Sequence, residues 1–360
     1  MHASVRASSV DSVVRVTGNF ASEAPLPQAV RDSLLAAFDQ GWADPKKLSQ
    51  AASRAAILRN QAIENIATRL KIPLESVEVL GEPSLGHFLA ISGLLSPQST
   101  FIYSAIDKGK IRAIARKHLG DSVELAVNED GQIIYPDRIP SNSVLSHQLG
   151  NGETGILQED FPETESATLI SVDATSSGAR APLPHRWDSA LFDAQSWNGP
   201  SGLSILAISN RSRFTYPLPH IAPISSPGSF SLPLLIAASV AIEIFEVEKD
   251  GSRLVLAAGL KEIDGVRIVG ESAPAMPHVL SCVISGVNNE MLVRELAATG
   301  VDIDAGSACS PIDLQPSHVI AAMGYPTEGQ IRFTLRRDTE KDEIDAAIEK
   351  IKVIVEKLRR

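Results

Sequence analysis

Asp173 is the residue whose neighbours give it the clearest chance of doing chemistry. It closes the apolar run Ala167 to Val172, which reads as a short buried strand. In open, mainly parallel sheets ligands gather beyond the carboxyl ends of the strands, and a carboxylate there can hold a protonated ring nitrogen. A turn or helix N-cap aspartate is the other reading of the same residue. The two cysteines, Cys282 and Cys309, are too few for a disulfide framework and lack the paired spacing of a zinc site. Cys282, inside the apolar run Val279 to Ile284, reads as core. Cys309 sits in a loop of small residues, where a thiol can be reactive or simply a small hydrophobe. The eight histidines are scattered with no HExxH-type cluster, so no metal site is expected.

The elements that must position these groups alternate along the chain. Apolar residues at helical spacing predict helices from Pro27 to Leu70, broken at Trp42-Ala-Asp-Pro45. Short strands are expected at Val77 to Leu80, Phe101 to Tyr103, Ser143 to His147, Ala167 to Val172 and Gly202 to Ile208. Helices are expected at Phe88 to Leu94 and Lys110 to His118. Buried strands separated by helices predict an α/β fold with a mainly parallel sheet. An apolar helix from Leu232 to Val247 leads to a second region, with strands near Val255 to Ala258, Arg267 to Val269 and Leu280 to Ile284. The last helix carries Ile344, Ile348, Ile351, Val355 and Leu358 on one face, with Thr339 and Asp342 as a capping-box-like start.

The 360 residues are 44% hydrophobic and 21% charged, enough for one large unit and a smaller one. The net charge of −10 argues against nucleic acid or an anionic membrane as partner. No apolar run approaches the roughly 20 residues that span a bilayer, and the first residues lack a signal-peptide pattern, so a cytoplasmic location is expected.

Four ordered segments carry a resemblance. They are Ser171-Val-Asp-Ala-Thr-Ser-Ser-Gly178 with Asp193-Ala-Gln-Ser-Trp-Asn-Gly-Pro-Ser-Gly202; Gly306-Ser-Ala-Cys-Ser310 with Gln315-Pro-Ser-His318, Ala322-Met-Gly324 and Ile331-Arg-Phe-Thr-Leu335; Asn151-Gly-Glu-Thr-Gly155 with Gln158; and Gly81 to Gly93. Together they resemble the cysteine desulfurase group of the class V aminotransferases, which use pyridoxal 5'-phosphate (PLP). The resemblance implies the aspartate aminotransferase-like fold, with a mainly parallel seven-stranded sheet in a large domain and a smaller C-terminal α+β domain. Divisions are expected at 1–22, 23–245 and 246–360.

By that resemblance Asp173 pairs with the pyridine nitrogen, and Asn151 lies near the ring oxygen. Ser84 matches the phosphate-binding threonine, and Ser229 the residue that reaches the phosphate from a second subunit, which implies a homodimer. Arg332 matches the arginine that grips the substrate carboxylate, a task suited to its planar fork. Cys309 matches the cysteine that takes sulfur from the substrate as a persulfide.

The departures fall on the chemistry. The family's His-Lys pair is Gln195 and Ser196 here, and no lysine lies between Lys117 and Lys249. The ring-stacking histidine matches Asp107, with Lys108 beside it, and the glutamine after the pyridine-binding aspartate is Ser176. Glu82, Pro83 and Leu85 replace the usual residues of the phosphate loop. A serine hydroxyl cannot form a Schiff base, and general acid–base catalysis alone is worth about 10²- to 10⁴-fold. PLP, if held, is held without a covalent link. Three readings follow: a degenerate homologue acting as regulator, scaffold or partner in sulfur metabolism; a PLP enzyme using another base; or a persulfide carrier through Cys309. An active desulfurase or a sulfur-acceptor protein is the expected partner.

Overall fold

Strands with every side chain buried need cover on both faces, and Ser143–Gln148 (SVLSHQ) and Ser204–Ile208 (SILAI) are strands of this kind. In a computed structural model, which describes residues 18–40, 43–81, 83–220, 230–248, 250–306 and 316–360, they lie inside a seven-stranded sheet. In chain order the large sheet comprises β1 (Val77–Leu80), β2 (Thr100–Ser104), β3 (Ser122–Leu125), β4 (Ser143–Gln148), β5 (Leu169–Asp173), β6 (Ser189–Asp193) and β7 (Ser204–Ile208). Their spatial order is β1-β7-β6-β5-β4-β2-β3. The pairs from β6 through β3 are parallel, and β7 runs antiparallel to both its neighbours. The register sets Gln148 beside Asp173 and Asp173 beside Leu191, so the strand exits are level.

Helices α1 (Gln28–Gln40) and α2 (Gln50–Leu70) form on either side of the expected break. Ser49 caps α2 by accepting from the Ala52 amide at 3.1 Å. Helices α3 (Pro83–Ser92) and α4 (Gly109–Lys117) follow β1 and β2, each with one buried face. Helix α5 (Leu232–Ile244) is apolar nearly all round and packs against α1 and α2, as a helix sealed inside the fold must.

A second sheet, antiparallel in the order β10-β9-β8, is built from β8 (Val266–Ile268), β9 (Val279–Ile284) and β10 (Gln330–Thr334). It has its own core with α6 (Asp250–Lys261), α7 (Asn289–Ala298) and α9 (Lys341–Leu358). Phe20 joins this core, edge-on to Phe333 at 6.0 Å between ring centres. The short helix α8 (His318–Ala322) precedes β10.

Two local expectations are corrected. Val255 to Ala258 is part of helix α6 and not a strand; Leu256 and Leu260 are buried on its inner side, and Gly259 lets Ile348 of α9 approach so closely that an added Cβ would stand 2.3 Å from its Cδ1. The start of α9 is capped by Glu340 with Glu343, while the Thr339 hydroxyl accepts from the Arg336 amide at 2.8 Å. Among the described residues no helix is long and apolar enough to cross a membrane, and none of their His, Cys, Asp and Glu side chains cluster to hold a metal ion.

Candidate functional site

The carboxyl ends of β2, β4, β5 and β6 lie side by side, and Asp107, Asn151, Asp173, Ser176, Gln195 and Ser196 sit at the strand ends or on the turns that leave them. Asp173 ends β5. Its Oδ1 accepts from the Thr175 amide at 2.9 Å and the Thr175 hydroxyl at 2.5 Å. Its Oδ2 lies 3.2 Å from His87 Nε2 and 3.4 Å from Lys108 Nζ. The Lys108 ammonium also donates to the Thr175 hydroxyl. Burial by itself would raise the Asp173 carboxyl, but Lys108, His87 and the Thr175 hydroxyl outweigh it and hold the acid well below the ordinary carboxylate range. His87 is fixed by a 3.0 Å contact from Nδ1 to the Pro83 carbonyl one turn earlier in α3.

Asp107 is fully buried beneath this cluster. Its Oδ2 accepts from the Ser104 amide at 2.9 Å, closing the turn between β2 and α4. Burial pushes the carboxyl up to about 7, with the Asp173 charge adding to the rise. The side chain that extends from this turn to Asp173 is that of Lys108, the next residue and the N-cap of α4. His318, at the start of α8, donates to the Asp107 carbonyl at 2.9 Å and ties the second region to the same turn.

Asn151, after β4, uses its side chain on its own loop and on the Ile106 carbonyl of the β2–α4 turn, to which Nδ2 donates at 3.3 Å. Oδ1 accepts from the Glu153 and Thr154 amides at 2.9 and 3.0 Å, and Nδ2 donates to Gln148 at 3.0 Å. Gln158 braces a neighbouring turn through Gly131 and Ile133. The Ser176 hydroxyl lies over Gly152, where an added Cβ would stand 2.7 Å from it.

After β6 the chain makes a 3-10 turn, Ala194–Trp197. Asp193 caps it by accepting from the Gln195 amide, and Asn198 ends it in the left-handed region at φ 62°. Ser196 donates its hydroxyl to the Asp193 carbonyl at 2.6 Å and packs on Gly178, leaving no room there for a Cβ. The Ser196 carbonyl accepts from Arg180, whose guanidinium forms a buried pair with Glu248 and lies 4.7 Å from the centre of the Phe245 ring. Trp197 is wholly buried and donates to Ala238 of α5 at 3.1 Å. Gln195 is exposed.

Ser84 lies in the first turn of α3. Arg332, on β10, donates to the Gly152 carbonyl at 3.0 Å and pairs with Asp304, so its fork is held by groups of its own chain. Glu153 is buried near Ser317, His318 and Arg332, and burial raises its carboxyl. Cys309, Ser229 and Glu82 lie outside the described residues. Cys282 is core, its thiol pushed up to about 12 by burial. His87, Thr175, Arg180, Glu248 and Asp304 are the site residues that sequence reasoning missed. Thr175 two residues after Asp173 and His87 one turn after Pro83 were readable local signals; the Arg180–Glu248 and Arg332–Asp304 pairings were not.

A model of the class V aminotransferase family matches residues 227–347. A cysteine desulfurase of Enterobacter agglomerans is 29% identical over 262 residues, 65% of this chain and 64% of that protein. The cysteine desulfurase IscS of Photorhabdus laumondii is 30% identical over 230 residues, 58% of this chain and 56% of that one. Over these stretches the chain is similar to cysteine desulfurases, and residues 227–347 match the class V aminotransferase model. These matches span less than two thirds of the relatives' own lengths. In fold, the chain is similar to a NifS-like protein with a TM-score of 0.83 at 19% identity, covering 95% of this chain and 100% of that one. It is also similar to the Escherichia coli cysteine desulfurase CsdA, with a TM-score of 0.76 at 17% identity over 95% and 96% of the two chains.

The class V family is PLP-dependent. The strand exits of this chain do not fit the cofactor in that family's manner. Ser196, which the sequence resemblance aligns with the family's lysine, has its hydroxyl bonded to the Asp193 carbonyl, and both oxygens of Asp173 are engaged by Thr175, His87 and Lys108.

Proposed function

We infer that this chain is a cysteine desulfurase-like protein that no longer turns over cysteine and acts by binding, as a regulator, scaffold or partner in sulfur metabolism. Ser196 carries the reading. It occupies the position of the Schiff-base lysine, and its turn is built by Asp193, Arg180 and Trp197 without any amine. A neutral hydroxyl with a pKa far above neutrality supplies neither the covalent link nor the proton shuttle, each of which the family's reaction requires.

Lys108 favours a second reading, an enzyme whose amine has moved. Its ammonium, however, sits at the carboxylate that would hold the ring nitrogen, and the aldehyde carbon of PLP is across the ring from that nitrogen. An amine in this position competes with the ring and does not reach the aldehyde, so the first reading is preferred.

A homodimer is part of the proposal. The exposed apolar side chains Leu35 and Phe38 on α1 and Ile57 on α2 support a covered surface there. Sedimentation at micromolar concentration should show two chains per particle.

The test is sulfide release from cysteine by the purified full chain with PLP added. No release above the protein-free blank is expected. Turnover that scales with protein and disappears in a PLP-depleted sample overturns the reading.

A further inference from the structure

Resting on the non-catalytic reading above, we propose that Lys108 is a specificity-determining residue: an internal cation that takes the place of the protonated ring nitrogen at Asp173 and excludes the cofactor ring from the site.

The position of Lys108 is costly unless it serves such a purpose. It is the N-cap of α4, where side chains that accept hydrogen bonds are preferred and a cation opposes the positive end of the helix dipole. Its side chain makes no capping bond and runs instead to the exit of β5. There the Thr175 hydroxyl donates to Asp173 and accepts from the Lys108 ammonium, joining the three groups in a closed cycle.

The charged groups around Asp173 explain why a cation must stay. Asp193 faces Asp173 from the exit of β6, and Asp107, at the exit of β2, adds negative charge as pH rises past about 7, while His87 and Lys108 face the carboxylate from α3 and the start of α4. Without Lys108, the buried Asp173 carboxylate would keep His87 alone as a cationic partner among the described residues. A pyridinium would meet that demand; here a lysine meets it, and the ring must displace the lysine in order to enter. A ligand that binds only a minor open form loses apparent affinity in proportion to the rarity of that form.

Arg332, on β10, repeats the device. Its guanidinium, suited to a substrate carboxylate, is paired with Asp304 of the same chain.

The experiment is equilibrium dialysis of PLP against the full-length wild type, Lys108→Met and Lys108→Gln. Each sample is then reduced with borohydride and its lysines are mapped by mass spectrometry. Gln keeps a donor toward Asp173 and Thr175, so it retains the fold if Met does not. Either variant should bind PLP non-covalently at least about tenfold more tightly than the wild type. Wild-type binding as tight as that of the variants, or no gain in either variant, overturns the role of Lys108 and leaves the non-catalytic reading standing. A wild-type adduct on Lys108 overturns both; an adduct on another cleft lysine, with the variants still gaining affinity, overturns the non-catalytic reading alone.

Discussion

Asp173 and Ser196 leave neighbouring strands, β5 and β6, yet the two exits have gone different ways. At β5 a buried carboxylate has a lysine counter-ion beside it; at β6 a serine sits in a turn held by hydrogen bonds, with no amine paired to it. Backbone turns at strand exits are held by hydrogen bonds and buried rings whose stability does not depend on a cofactor. A buried carboxylate is different, since it needs a cation whether or not chemistry is done there.

The most forceful way to break this comparison is to remove what holds the β6 exit. Arg180 and Glu248 form a buried pair, with side chains 4% and 7% exposed, that also anchors the Ser196 carbonyl. Arg180→Ala should lower stability by about 3–5 kcal/mol in urea unfolding, because it strands Glu248. A loss under 1 kcal/mol would show that the turn does not need this support.

Asp107 sharpens the β5 side. Its carboxyl has an ordinary value of 3.8 and is pushed up to about 7 by burial. Between those values the folded chain keeps a proton that the unfolded chain releases, so this group's contribution to stability falls as pH rises through that window. Asp173 acts in the opposite sense, its stabilisation being lost as pH falls into the acid range. Asp107→Asn should gain about 2 kcal/mol over wild type at pH 8 and nothing at pH 4, read from melting curves across pH.

Smaller effects test the serine itself. Ser196→Ala removes one hydrogen bond, to the Asp193 carbonyl, and should cost about 1 kcal/mol. Exposed Gln195→Ala should fall within about 0.5 kcal/mol of wild type. A larger cost at Gln195 would mean that its side chain has kept a role at this exit.

The parts legible in the sequence were those decided locally. The apolar run ending in Asp173 could be read as a strand exit because burial on both faces leaves a continuous apolar stretch. The inward stripe of α9 could be read from its period, and Ile344, Ile351 and Val355 are buried as expected. Val255 to Ala258 misled because a short apolar run looks alike in a strand and in a buried helix. β3 gave little signal because it is an edge strand whose first three residues are exposed. Lys108 could be seen beside Asp107, but its pairing with Asp173 joins the exits of β2 and β5, which only the sheet order brings near. Asp304 with Arg332 and Arg180 with Glu248 were hidden for the same reason.

The central claim is that this site offers PLP no amine within reach of its aldehyde. Its most direct test is to incubate the purified full chain with excess PLP, reduce with borohydride, and map every lysine by mass spectrometry beside a sample reduced after denaturation. The account predicts that no cleft lysine is modified beyond the low, scattered labelling of surface lysines. Stoichiometric modification of one lysine in the folded chain alone, Lys108 above all, would contradict it.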